Sequence, residues 1–316
     1  MKRLLLLFLL MSVCIFAGCG DDDDNEPVEI NAVIVGDRVL DISASLGVLP
    51  KVASVRASQW AKASEFPIDI PGCPNYMVNR NPNAINEKID EYGLDQVIIE
   101  DSPEFCLLKP KVNPIDIVDL ITNLDVTINV IDFSEGVDSA IRQIAALYGK
   151  ESEGEELIEK YHEDLEEAEA LVDQVIPGKK VVVLSAMKNR ETGEIKLYLE
   201  SKGFYTDKFF LEPFGCENVG DALNDSKTAM ISKGLLPVTD LSLLADANPD
   251  VIILFENSDL VLEELNALIA ENSAVADVPA IQNDHIATSL PYYVGSEVEG
   301  YPEILSAWAN YFISLE

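Results

Sequence analysis

Short apolar runs alternate with amphipathic stretches along most of the chain, which is the pattern of an α/β architecture. Runs rich in Val, Ile and Leu predict strands over 38–43, 51–55, 96–100 and 126–131. Runs of this length, separated by helical stretches, suit parallel strands buried on both faces. The intervals carry helical periodicity over 84–92, 114–123 and 136–148. The last of these stops at Gly149, a residue type that commonly ends helices.

The most regular segment follows. Between 151 and 175 the apolar residues Leu157, Ile158, Tyr161, Leu165, Ala168, Leu171, Val172 and Val175 trace one face of a helix. Glutamates and Asp164 occupy much of the remaining surface, and Pro177-Gly178 end the segment. At about 1.5 Å per residue it makes a rod of about 37 Å. A second α/β block begins beyond it. Strands are expected over 180–185, 249–254 and 284–288, and helices over 205–213, 239–247, 258–271 and 301–313. The expected fold is therefore α/β, with two Rossmann-like lobes of mostly parallel sheet joined by a single long α-helix. The lobes are placed at 33–150 and 179–316, and the connecting helix at 151–176.

Charge and composition bear on location. Lys2 and Arg3 precede an apolar run of about 13 residues, too short for the roughly 20 that span a bilayer. A basic start, an apolar run and small residues read as a secretory signal over 1–18. Phe16-Ala17-Gly18-Cys19 resembles a lipobox, which makes Cys19 the expected lipidation site and new N-terminus. Multiple acyl chains anchor stably. Residues 19–32, with Asp21 to Asp24 and Glu26, read as a solvated acidic tether. Loss of Lys2 and Arg3 with the signal moves the formal charge from −34 to −36. Such a surface repels nucleic acid and anionic membranes.

Cys73, Cys106 and Cys216 remain after Cys14 leaves with the signal and Cys19 is acylated. No CxxC pair is present, so a zinc or redox motif has no support. The two histidines, His162 on the rod and His285 in a turn, are expected to be solvated, and no metal site is expected.

Four segments carry a family resemblance. They are residues 38–45 as an opening strand and small-residue loop, Gly149-Lys150-Glu151 ahead of the acidic rod, Leu211 to Val219 with its Gly-x-Glu-Asn-Val ending, and the helix-strand unit from Leu244 to Leu254. Their order and spacing resemble the periplasmic binding proteins of ABC importers for iron-siderophores, haem and cobalamin. The resemblance runs from about Val33 to Glu316. It implies a monomeric, extracytoplasmic binding protein with no cofactor of its own. Its partners would be a small metal chelate or corrinoid, a membrane permease and the ATPase of that permease. It also implies docking through acidic residues on the lobe tips, which fall at Glu87 and near Asp240.

Ligands of parallel α/β sheets bind beyond the carboxyl ends of the strands. In the first lobe this rule selects Ser45, Trp60, Tyr76, Glu100, Phe105 and Phe133. In the second it selects Met187, Phe255, Tyr292 and Tyr293. Aromatic side chains supply stiff contact area for a bulky ligand. Cys73 and Cys106 both follow first-lobe strands, so a disulfide, two inert thiols and a metal-thiolate site all stay open there; Cys216 is expected to be free. The cleft is expected to lack an arginine cluster, which favours a neutral or weakly charged chelate or a corrinoid.

Two other functions compete. A sensor or docking lipoprotein without a transporter would carry the same features. An enzyme on this architecture lacks support, because no phosphate loop, nucleophile elbow or suitably placed histidine is present.

Overall fold

The computed structural model describes residues 27–102, 112–123, 125–189, 191–224, 234–255, 257–291 and 300–316. The first half runs β1 (Val28–Val35), α1 (Asp37–Ser45), β2 (Val48–Ser54), α2 (Trp60–Ala63), α3 (Pro74–Asn79), α4 (Ala84–Tyr92), β3 (Gln96–Asp101), a tight 3-10 helix (Pro114–Leu120), β4 (Thr127–Asp132) and α5 (Val137–Tyr148). After α6 (Glu151–Val172) come β5 (Lys180–Lys188), β6 (Ile195–Glu200), a π-helical turn (Asp207–Leu211), β7 (Glu217–Asn218) and β8 (Leu235–Pro237). The chain ends with α7 (Leu244–Ala247), β9 (Val251–Leu254), α8 (Ser258–Glu271), α9 (Ser273–Ala276), α10 (Pro279–Gln282), β10 (Ile286–Ala287) and α11 (Gly300–Ser314).

The first sheet has the order β2-β1-β3-β4 and is parallel throughout. The second has the order β10-β9-β5-β6-β8, with β7 beside β5. Here β7, β9 and β10 continue the parallel direction of β5, while β6 and β8 form antiparallel pairings. Among the described residues the chain passes between the sheets once, through α6. The expected α/β class with two lobes on one long helix is the observed one, with a mixed second sheet.

Each sheet separates two apolar layers. Along β1, Ala32 and Ile34 join one core and Val33 and Val35 the other, as the two-residue side-chain period requires. Along β9, Val251 and Ile253 face one side, and Ile252 and Leu254 the opposite side. The connector belongs to both lobes. Leu157 and Ile158 are buried in the first core, with Tyr161 packed at its margin. Ala168 is buried in the second, flanked by Leu165, Leu171 and Val172. The connector packs against α5 and α11. At Gly154 a Cβ would lie 2.6 Å from the Cβ of Ala145, so a glycine is needed where α6 crosses α5 so closely.

Two expectations fail at the start of the first lobe. Residues 38–43 are helical, within α1, and the opening strand is β1. That strand begins at Val28, inside the segment expected to be tether. The first half of β1 is partly solvated, and its polar Glu29 and Asn31 mask the strand pattern. In α1, Val39 and Ile42 are buried at helical spacing with Leu46 at the C-cap, so the apolar run serves a helix packed on the sheet.

Candidate functional site

Because β1 to β4 are parallel, their carboxyl ends share one edge, and the residues leaving them converge there. Gly36 follows β1 with φ of 128°, and its N–H donates to the Ser54 carbonyl at 3.0 Å. A Cβ on Gly36 would stand 2.3 Å from the Cβ of Glu100, so only glycine lets α1 start beside β3. The first two residues of α1 are Asp37 and Arg38. Asp37 is buried, accepts the backbone N–H of Arg56 at 2.8 Å and pairs with its guanidinium. Burial works against the charge on Arg56. The adjacent carboxylate of Asp37 overrides it and holds the guanidinium above its ordinary value.

Glu100, near the end of β3, faces the same corner. Its Oε2 accepts the Arg38 backbone N–H at 3.2 Å, and its Oε1 lies 3.4 Å from Arg38 Nε. The Glu100 side chain is fully buried, whereas that of Arg38 is 19% exposed. Arg38 Nη2 donates to Ser102 Oγ at 3.2 Å, and the guanidinium stands 4.8 Å from the centroid of the Phe133 ring. Burial pushes the Glu100 carboxyl up to about 7, against the pull of Arg38.

From the second lobe, Tyr205 bears electrostatically on Arg56. The Tyr205 ring lies 4.9 Å from that of Phe204 and stacks on Phe209 at 5.8 Å. Buried carboxylates fix the turn that carries these rings. Glu200 accepts from the Thr206 N–H and hydroxyl, both at 2.7 Å. Asp207 accepts from the Gly203 N–H at 2.5 Å and from Asn218 Nδ2 at 2.9 Å.

Several predicted residues gather at the carboxyl edge of the first lobe. Glu100 and Phe133 belong to the charged corner itself. Trp60 follows β2, donates its indole N–H to the Val55 carbonyl at 3.1 Å and is 41% exposed. Tyr76 is 43% exposed on α3, its ring against Gly72, whose carbonyl accepts from Ser54 Oγ. Ser45 is a correction. It ends α1 beside Gly47, whose carbonyl accepts from Val28 N–H at the amino edge of the sheet, away from the proposed cleft. Misreading α1 as a strand is what placed Ser45 at a carboxyl end.

In the second lobe Met187 is half-buried near the carboxyl end of β5. Phe255 lies just past β9 but packs into the core, its ring 6.0 Å from that of Trp308. Glu87 is exposed in the first turn of α4, and Asp240 caps the 3-10 turn Leu241–Leu243 by accepting from Ser242 N–H at 2.8 Å. Cys73 carries a free thiol; its Sγ accepts from the Tyr76 N–H at 3.3 Å and caps α3. Cys216 is free as expected, its thiol pushed by burial to about 11. Cys19, Phe105, Cys106, Tyr292 and Tyr293 lie outside the described residues.

His162 Nε2 meets the Asp138 carboxylate at 3.0 Å while staying largely exposed, and His285 Nδ1 lies 3.2 Å from the Asp250 carbonyl. Among the described residues, no group of three or more His, Cys, Asp or Glu side chains is placed to hold a metal ion, and no helix is long and apolar enough to cross a membrane.

Asp37, Arg38, Arg56 and Tyr205 were not among the expected site residues, and the expectation of a cleft without arginines is overturned. The signal was present in Val33-Ile34-Val35-Gly36-Asp37, an apolar run closed by glycine and an acid, which is the form of a strand-to-helix turn.

A family model described as periplasmic binding protein matches residues 114–293. No curated protein sequence matches the chain significantly. Among solved structures, the periplasmic haem-binding protein BhuT in complex with two haems is 14% identical, with a TM-score of 0.62, covering 91% of this chain and 99% of that one. The periplasmic haem-binding protein RhuT from Roseiflexus sp. RS-1 is 16% identical with a TM-score of 0.62, again covering 91% and 99%. The triscatecholate siderophore-binding protein FeuA from Bacillus subtilis, complexed with ferri-bacillibactin, is 18% identical with a TM-score of 0.54, covering 90% and 92%. At these identities the likeness is one of fold.

Proposed function

The chain belongs to the periplasmic binding protein family, and from that premise we propose that it captures a ferric siderophore, a haem or a corrinoid between its lobes and delivers it to an ABC permease and its ATPase. The observation that supports this reading is the single connector sunk into the cores of both lobes, with the carboxyl-edge corner of the first lobe open to solvent at Arg38. A ligand held between the lobes touches both at once. A connector buried at both ends favours modest opening over a wide hinge. The exposed rings of Trp60 and Tyr76 offer flat apolar contact, and the partly exposed Arg38 suits an acidic group on the chelate.

The protein acts outside the cytoplasm as a monomer, held to the membrane by acyl chains on Cys19, with residues 20–26 as spacer. Glu87 and Asp240 are the contacts for the permease. Both are exposed.

Purification from the native membrane followed by a visible spectrum tests the reading, since haem, corrinoids and ferric chelates absorb differently. Titration with haemin, a ferric tricatecholate and cyanocobalamin, followed by tryptophan fluorescence, completes the test. A colourless protein that binds none of the three rules the reading out. Glu87→Lys is expected to lower uptake with unchanged ligand affinity, and Cys19→Ser to release the protein from the membrane.

A further inference from the structure

The first-lobe corner holds two arginines and two carboxylates, and these are not equivalent. Asp37 takes both the backbone N–H and the guanidinium of Arg56. Glu100 is held more thinly. Its Oε2 accepts one backbone N–H, and its Oε1 accepts no hydrogen bond among the described residues, facing Arg38 Nε at 3.4 Å. The charged groups that face it are Arg38 and Asp37 from α1 and Arg56 from the segment after β2. Its neighbour across the sheet, β4, adds the Phe133 ring, while Asp132 on that strand is exposed and takes the Ser134 N–H.

We propose that Glu100 is a positioning residue that sets, by gaining or losing a proton, the charge the first lobe shows to a ligand in the cleft. With Glu100 ionised, two carboxylates face two guanidiniums among the described residues. Protonation of Glu100 adds one positive charge to this corner, beside Arg38, the member of the four most open to solvent. An anionic ligand then binds the protonated form better, and by reciprocity its binding draws a proton onto Glu100. Burial without a full set of hydrogen bonds makes this the carboxyl that titrates near neutrality, at about 7. The inference rests on the ligand-capture reading.

The test uses the full chain and two readouts. Without ligand, denaturant unfolding is followed against pH. Glu100 holds its proton more tightly folded than unfolded, so its contribution to stability is full below the ordinary carboxyl range and is lost as pH rises through about 7. Glu100→Gln is expected to remove that loss, and an unchanged slope in the variant overturns the proposal. With ligand, the affinities of haemin and a ferric tricatecholate are expected to weaken by up to about tenfold per pH unit above the titration. The same affinities are expected to stay tight and flat in Glu100→Gln. Glu100→Asp restores a pH dependence, which separates the proton from the packing. Neutral cyanocobalamin shows none. Equal pH profiles in the wild type and Glu100→Gln overturn the proposal. If no probe binds at any pH, the capture reading fails, and the ligand-free slope alone then decides the role of Glu100.

Discussion

In the first lobe two buried carboxylates, Asp37 and Glu100, meet the arginines Arg56 and Arg38. In the second, two buried carboxylates, Glu200 and Asp207, take hydrogen bonds from Thr206, the Gly203 N–H and the Asn218 amide. Both corners hold acids away from water. The materials differ in what they permit. An ion-paired corner has a charge that a single proton can change. A corner held by amides and hydroxyls specifies geometry, here the turn that presents Tyr205 and stacks it on Phe209. One lobe therefore supplies adjustable charge and the other a fixed aromatic surface.

Four substitutions break or sharpen this contrast. Arg56→Ala leaves Asp37 buried beside no guanidinium of its own and is expected to cost about 3–5 kcal/mol in chemical denaturation. A loss below about 1 kcal/mol would mean the pair contributes little. Asn218→Ala removes donors to Asp207 and to the Glu200 carbonyl and is expected to cost about 2 kcal/mol. It should also disturb the near-ultraviolet circular dichroism of the Tyr205 turn. Arg38→Ala is expected to cost only about 1 kcal/mol, because Glu100 can take up a proton when its partner leaves. The same variant should weaken haemin binding while leaving cyanocobalamin unaffected. A stability loss as large as that of Arg56→Ala would erase the distinction between the two acids. Arg142→Ala breaks an exposed pair with Glu155 on the connector and is expected to leave the melting midpoint unchanged in a thermal scan.

Elements with complete local signals were legible in the chain. The helices Ala84–Tyr92 and Ser258–Glu271 fall where their periodicity placed them, and β3 begins at the expected Gln96. The acidic rod starts at the expected Glu151 and runs 22 residues, so about 33 Å. The failure at β1 and α1 has a specific cause. An apolar run that is buried on nearly every side reads equally as strand or helix, and the deciding residue, Gly36, lies outside the run. That one error carried into the site. Moving the opening strand from 38–43 back to Val28–Val35 transfers Arg38 from a strand start to a helix start at the cleft edge, and sends Ser45 to the far edge. In the second lobe the aromatic corner was missed because Tyr205 was read as part of an ordinary helix, whereas the turn there is π-helical and pinned by Asn218.

Apolar periodicity alone determined the α/β class, the pair of lobes and the span between them, because a residue's burial repeats with the local backbone geometry of its own helix or strand. The tertiary structure alone decided which charges meet. Asp37 lies 19 positions from Arg56, and Arg38 lies 62 from Glu100. They are brought together only because β1 pairs in parallel with both β2 and β3. Parallel pairing joins strands across whole helical crossovers, and no spacing within a local window encodes that meeting.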